Sequence, residues 1–237
     1  MSQSETFLTT RWTRVLAAKG DSEDSRVALS DLCDSYYSPV HAYIRHTVRD
    51  VPQDMTRDLT HEFFASLLSR PGLESLERGR GKFRSYLLGA VKNFLADWRD
   101  KQGAEKRGGG MEQQEFDEES EPGEAATSPT RDAIYDRQWA YAVLGRALDL
   151  LEAEHREADK LSHYENLKPW LNGNTPDLSQ ADVARDLGIS EGALKVGIHR
   201  LRKRFRILIR TEIGETVESE EAVGIELNYL IEALGKG

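Results

Sequence analysis

The densest chemistry in this sequence is cationic. Residues 195–210 hold seven Lys/Arg and no acid. A helix face that is merely solvated mixes its signs, whereas a face of one sign suits a phosphate backbone. The segment before it, SQADVARDLGIS, reads as a helix and a tight turn. Ser179, with Asp182 three residues on, forms a capping box, and Val183, Ala184 and Leu187 face inward. Gly188 supplies the residue without a Cβ penalty at the turn. Ser190 caps a second helix, with Leu194, Ile198, Leu201, Phe205 and Leu208 as its buried stripe. Glu191, Lys195, Val196, His199, Arg200, Arg202, Lys203 and Arg206 are left facing out. Small and polar residues at such an N-terminus can enter a major groove while the trailing cations neutralise phosphates. A soluble helical hairpin is the alternative, and the lack of any acid argues against it.

Two further clusters invite chemistry. Asp54, Asp58, His61 and Glu62 fall on one face of a helix expected over 53–69, opposite Met55, Leu59, Phe63, Phe64, Leu67 and Leu68. Three readings compete there: a metal site on Asp58, His61 and Glu62, a solvated acidic face, and a docking surface for a basic partner. No second His/carboxylate cluster completes a metal site, so neither metal nor cofactor is expected. Residues 82–107 combine Lys82, Arg84, Lys92, Arg99, Lys101, Lys106 and Arg107 with Phe83, Tyr86, Phe94 and Trp98. Cations that track a backbone and rings that stack on bases suit single-stranded DNA. The same aromatics also fit a core stripe, and most of them are expected there.

The elements that must position these groups all read as helix, with no convincing period-2 strand. Helices are expected over 9–18, 25–37, 39–49 (entered at Pro39), 53–69 and 82–100, then from 131 to about 158, with more helix to Trp170. GGGMEQQEFDEESEPGEAATSP reads as a flexible linker. The expected organisation is all-α in two helical domains: 1–107, a linker over 108–130, a helix-turn-helix domain over 131–215, and an acidic extension over 216–237.

The 237 residues carry a net charge of -9, which taken alone argues against nucleic acid. Segregation reverses that argument. Residues 78–107 carry nine Lys/Arg against three acids, residues 108–129 seven acids and no base, and residues 211–237 seven Glu against Lys236. Cys33 is the single cysteine, so no disulfide framework or cysteine-rich zinc site is possible. No apolar run has the length of a membrane span, and the first residues lack a secretory pattern, so a cytoplasmic setting is expected, without a membrane or small-molecule substrate.

With these residues in view, the chain resembles an extracytoplasmic-function (group 4) sigma factor of bacterial RNA polymerase. LSDLCDSYYSPVHAYIRH is similar to the start of sigma domain 2, and RDLTHEFFASLL to the helix that binds core polymerase. GKFRSYLLGAVKNFLADWRDK resembles the segment that melts and reads the -10 element, and ISEGALKVGIHRLRKRFR the helix that reads the -35 element. TTRWTRVLAA and YENLKPWLNGN resemble a kinase-associated subgroup. The resemblance implies that Asp58, His61, Glu62, Phe63 and Phe64 lie at or beside the polymerase clamp, with Asp54 on the same acidic face. It implies that the loop at 71–82 captures flipped -10 bases while Lys92, Asn93, Trp98, Arg99 and Lys101 face the -10 duplex and strand. Core RNA polymerase and promoter DNA are the partners implied, and no catalytic residue is expected. A stand-alone helix-turn-helix regulator is the alternative.

Two positions depart from the family pattern. His61 stands where Gln is frequent, and Arg57 where many members carry an acid. Phosphorylation of Thr56 or Thr60 by a Ser/Thr protein kinase would restore negative charge there, which makes both threonines candidate switch residues. For the acidic tail, two readings stand: a helix packed on the helix-turn-helix domain, and a mask over its cationic surface.

Overall fold

The structure is a computed structural model that describes residues 23–48, 51–69, 82–108, 130–172 and 179–235. These form helices α1 (Glu23–Thr47), α2 (Gln53–Ser69), α3 (Phe83–Gly108), α4 (Arg131–Glu157), α5 (Leu161–Leu167), a 3-10 turn (Lys168–Asn172), α6 (Gln180–Asp186), α7 (Glu191–Gly214) and α8 (Glu220–Gly235). Among the described residues there is no strand, only an isolated antiparallel bridge between Lys82 and Val217. The protein is all-α. The helix expected over 9–18, and all but the end residues of the linker expected over 108–130 and of the loop expected over 71–82, lie outside the described residues.

The helices fall into two compact units. One contains the chain to Ala142 together with Glu215–Gly237, and the other is Val143–Gly214. The expected break at 131 therefore falls within the first unit, because the opening of α4 supplies core to it. Tyr135 and Trp139 are fully buried there. Trp139 Nε1 donates to Tyr36 Oη at 3.1 Å, and Tyr135 Oη donates to the Arg84 carbonyl at 3.2 Å. Burying two such rings favours this arrangement by roughly 1.5–3 kcal/mol each. The change in charge near 108–131 carries no information about which unit α4 packs into.

Two expected helices over 25–49 are one. Pro39 lies inside α1, where it removes one backbone donor. The stripe of Leu32, Tyr36, Val40, Tyr43 and Ile44, all buried, continues through it and holds the helix together. Tyr36 meets Phe83 edge-on at 5.0 Å, and Phe63 meets Phe94 at 5.5 Å, which ties α1, α2 and α3 into one core. Cys33 is part of this core, and burial, then the charge of Asp34, pushes its thiol up to about 12.

The second unit has its own core of Val143, Ala147, Leu151, Tyr164, Leu167, Trp170, Ala184, Leu194, Ile198 and Leu201. Gly197 lets α7 approach α5 closely, since a Cβ there would stand 3.3 Å from Leu167 Cδ1. Arg146 donates through Nε to Glu212 at 2.7 Å, so the end of α7 is tied by an ion pair as well as by packing.

Candidate nucleic-acid interface

The helix-turn-helix forms as its sequence dictates. Ser179 Oγ accepts the Asp182 amide at 3.4 Å at the start of α6, and Ser190 Oγ accepts the Ala193 amide at 3.2 Å at the start of α7. Gly188 between them has φ +65, a left-handed conformation that an L side chain adopts only at a cost. With α7 fixed this way, Glu191, Lys195, Val196, His199, Arg200, Lys203 and Arg206 are exposed, as is the cap residue Ser190. Val196 is 48% exposed, an apolar group among cations.

Two cations of the basic run are engaged within the unit. Arg202 is half-buried and donates to the Trp170 carbonyl through Nε at 2.8 Å and Nη2 at 2.6 Å. Its expected outward position is thus replaced by a structural one, because the 3-10 turn ends under α7 with a carbonyl to satisfy. Arg204 Nε donates to Glu154 Oε2 at 2.9 Å. This pair holds the Glu154 carboxyl below its usual range, the Arg204 hydrogen bond outweighing the opposing effect of burial. A cleft beside α7 brings together residues that the sequence order separates: His155, Lys160 and His163 join Arg200 and Arg204 along it.

In the first unit the acidic face of α2 is real and exposed: Asp54, Asp58, His61 and Glu62 all reach solvent. His61 Nε2 lies 3.1 Å from Tyr37 Oη, which orients its ring. Met55 and Leu68, expected in the buried stripe, are instead 43% and 39% exposed. Phe63 and Phe64 are buried and support this face from beneath; Phe64 stacks on Tyr37 at 6.0 Å. Carboxylates and the apolar Met55 and Leu68 thus share the exposed surface of α2. Among the described residues no group of three His, Cys, Asp or Glu is placed to hold a metal ion.

Thr56 and Thr60 are 3% and 0% exposed. Thr56 Oγ1 donates to the Gln53 carbonyl and Thr60 Oγ1 to the Thr56 carbonyl, both at 2.7 Å. His41 Nδ1 lies 3.1 Å from Thr60 Oγ1; with that hydroxyl proton already committed, Nδ1 carries the proton of this bond. Burial first, then the charges of Arg45, Arg57 and His61, lowers the His41 pKa. The folded helix therefore offers neither hydroxyl to a kinase, contrary to the expectation drawn from Arg57. Arg57 itself faces Asp54 at 3.9 Å across solvent.

Along α3, Asn93, Arg99 and Lys101 are exposed and Trp98 is half-buried. Lys92 bonds Asp132 at 2.7 Å. Lys82 and Arg84 differ from expectation. Arg84 is 7% exposed; its Nη1 contacts Asp136 at 2.6 Å and its Nε contacts Glu226 at 3.0 Å. Lys82 Nζ contacts the same Glu226 at 2.9 Å. The acidic tail, expected with the helix-turn-helix, thus belongs to the first unit, and the charge pattern alone could not choose between two cationic segments.

A capped helix-turn-helix whose second helix presents cations and an exposed Val has the form of a DNA-reading element. The model of the ECF sigma factor family matches residues 13–210, most of the chain, and the chain belongs to that family. It is a sigma factor of promoter-directed transcription initiation, a regulator that works with RNA polymerase. No curated protein matches the chain, and no solved structure does. No helix among the described residues is long and apolar enough to cross a membrane.

Proposed function

We propose that the chain docks on core RNA polymerase through the exposed face of α2, reads the -35 element with α6 and α7, and engages the -10 element with α3. The observation that carries this reading is the capped helix-turn-helix with Lys195, Val196, His199, Arg200 and Lys203 exposed on α7, in a chain of this family. Asp58 and Glu62 supply the charge for a basic clamp, and Met55 and Leu68 supply apolar area beside it. Asn93, Arg99 and Lys101 offer α3 a polar and cationic surface, with Trp98 partly open for stacking. Unstacking promoter bases costs a few kcal/mol, which sigma and polymerase contacts offset together, so the protein acts as a subunit.

The test is co-elution of the purified chain with core RNA polymerase, followed by promoter-dependent transcription. Asp58→Lys with Glu62→Lys should abolish assembly and leave binding to a -35 duplex intact. Arg200→Ala should do the reverse. A chain that never joins polymerase but binds a symmetric duplex tightly as a dimer would be a stand-alone regulator instead.

A further inference from the structure

Helix α8 lies beyond the stretch that the family model matches, which ends at residue 210. What it covers is specific. Glu226, with no exposed surface, accepts from Lys82 Nζ at 2.9 Å, from Arg84 Nε at 3.0 Å and from Arg84 Nη2 at 3.3 Å. A guanidinium fork and an ammonium around one anionic group is the arrangement with which proteins hold a phosphate. Tyr229 of the same helix lies 4.1 Å below the Arg84 guanidinium, and its hydroxyl bonds Asp136. The segment leading into α8 is pinned beside them: the Phe83 amide donates to the Thr216 carbonyl at 3.1 Å, and Val217 pairs with Lys82.

We propose that α8 is a built-in acidic mask, with the Glu226 carboxylate occupying the place of a DNA phosphate between Lys82 and Arg84, and that it must swing away for these two cations to reach promoter DNA. The inference rests on the assignment of α3 and the residue before it to the -10 element. Removing the carboxylate without a replacement would leave Lys82 and Arg84 with less compensation, so the helix leaves only where another anion takes its place. As a displaceable pairing the network makes sense, because phosphates replace the carboxylate one for one. Asp136 continues to hold Arg84 from the other side at 2.6 Å, so opening frees the face toward Glu226 and the whole of Lys82. Helix α8 itself carries Glu220, Glu221, Glu226 and Glu232 and no base, so the segment that covers the two cations is acidic throughout.

The experiment uses the full chain, alone and assembled with core polymerase, and a fluorescent single-stranded DNA of mixed sequence titrated at several salt concentrations. Glu226→Gln should bind more tightly and steepen the salt dependence by about 0.7 for each additional phosphate neutralised. The exposed Glu232→Gln removes the same charge without touching Lys82 or Arg84 and should leave the slope unchanged. Lys82→Ala combined with Glu226→Gln should lose most of that increase. A second pair keeps the idea testable if Glu226→Gln folds poorly. Ala133 and Ala233 line one cleft between α4 and α8, so cysteines at both positions, joined by a bismaleimide, would tether the mask. Cys33 is buried with a raised pKa and will not compete for the reagent. The tethered protein should lose the single-stranded DNA binding and the transcription that the untethered one keeps, while binding of a -35 duplex through α7 persists. Equal binding by wild type and Glu226→Gln, or full activity when tethered, overturns the mask while the sigma reading stands. Failure of every form to bind DNA or join polymerase overturns both.

Discussion

Arg202 donates both Nε and Nη2 to the carbonyl of Trp170, at 2.8 and 2.6 Å, from the middle of a helix whose cations the sequence reads as facing outward. Neighbouring cations on α7 thus have different roles. Lys203 is exposed, whereas Arg202 closes the turn beneath its own helix.

Substitutions at these two positions should therefore separate. Arg202→Ala leaves the Trp170 carbonyl without its charged donor and should cost about 1.5–3 kcal/mol in urea unfolding. Lys203→Ala should stay within roughly 0.5 kcal/mol of wild type yet reduce the salt slope of duplex binding by about 0.9.

Thr60 is fully buried and its hydroxyl is committed to the Thr56 carbonyl. Thr60→Glu should destabilise the first unit by about 3 kcal/mol or more, because a carboxylate there is cut off from solvent. Incubation of the folded protein with a Ser/Thr kinase should leave Thr56 and Thr60 unmodified by mass spectrometry.

Gly188 holds φ +65 with nothing within 4 Å of where its Cβ would sit. Gly188→Ala is thus a test of backbone strain alone and should cost about 1–2 kcal/mol. Gly188→Asn should cost less. Denaturation midpoints of the two variants decide the point.

The Glu226 carboxyl feels two opposed effects: burial raises its pKa, but the hydrogen bonds and charges of Arg84 and Lys82 outweigh this and hold it below the usual 4.5. Stabilisation by that carboxylate is complete above pH 4.5 and fades as pH falls through the lower folded value. Thermal melts should show a loss of stability on acidification below 4.5 that is smaller in Glu226→Gln.

Much of this was legible in the chain. The helix-turn-helix followed from Ser179, Gly188 and Ser190, because caps and a left-handed turn are local chemistry. The helical period over 53–69 and 82–100 likewise foretold α2 and α3. Partner choice was not legible. Met55 and Leu68 carry the periodicity of core residues, yet they reach solvent because none of the described helices covers their edge of α2.

Sequence by itself determined that the protein is helical, that its charge is sorted into blocks, and that α6 and α7 form the helix-turn-helix of a DNA-binding protein. Those properties depend on neighbours within a turn or two of helix. Tertiary structure decided that α4 begins in the first unit, that Thr56 and Thr60 are enclosed, and that Glu226 finds Lys82 and Arg84 across about 140 residues of chain. A charge has no memory of sequence distance, and only the packed fold selects which of two cationic segments an acidic helix meets.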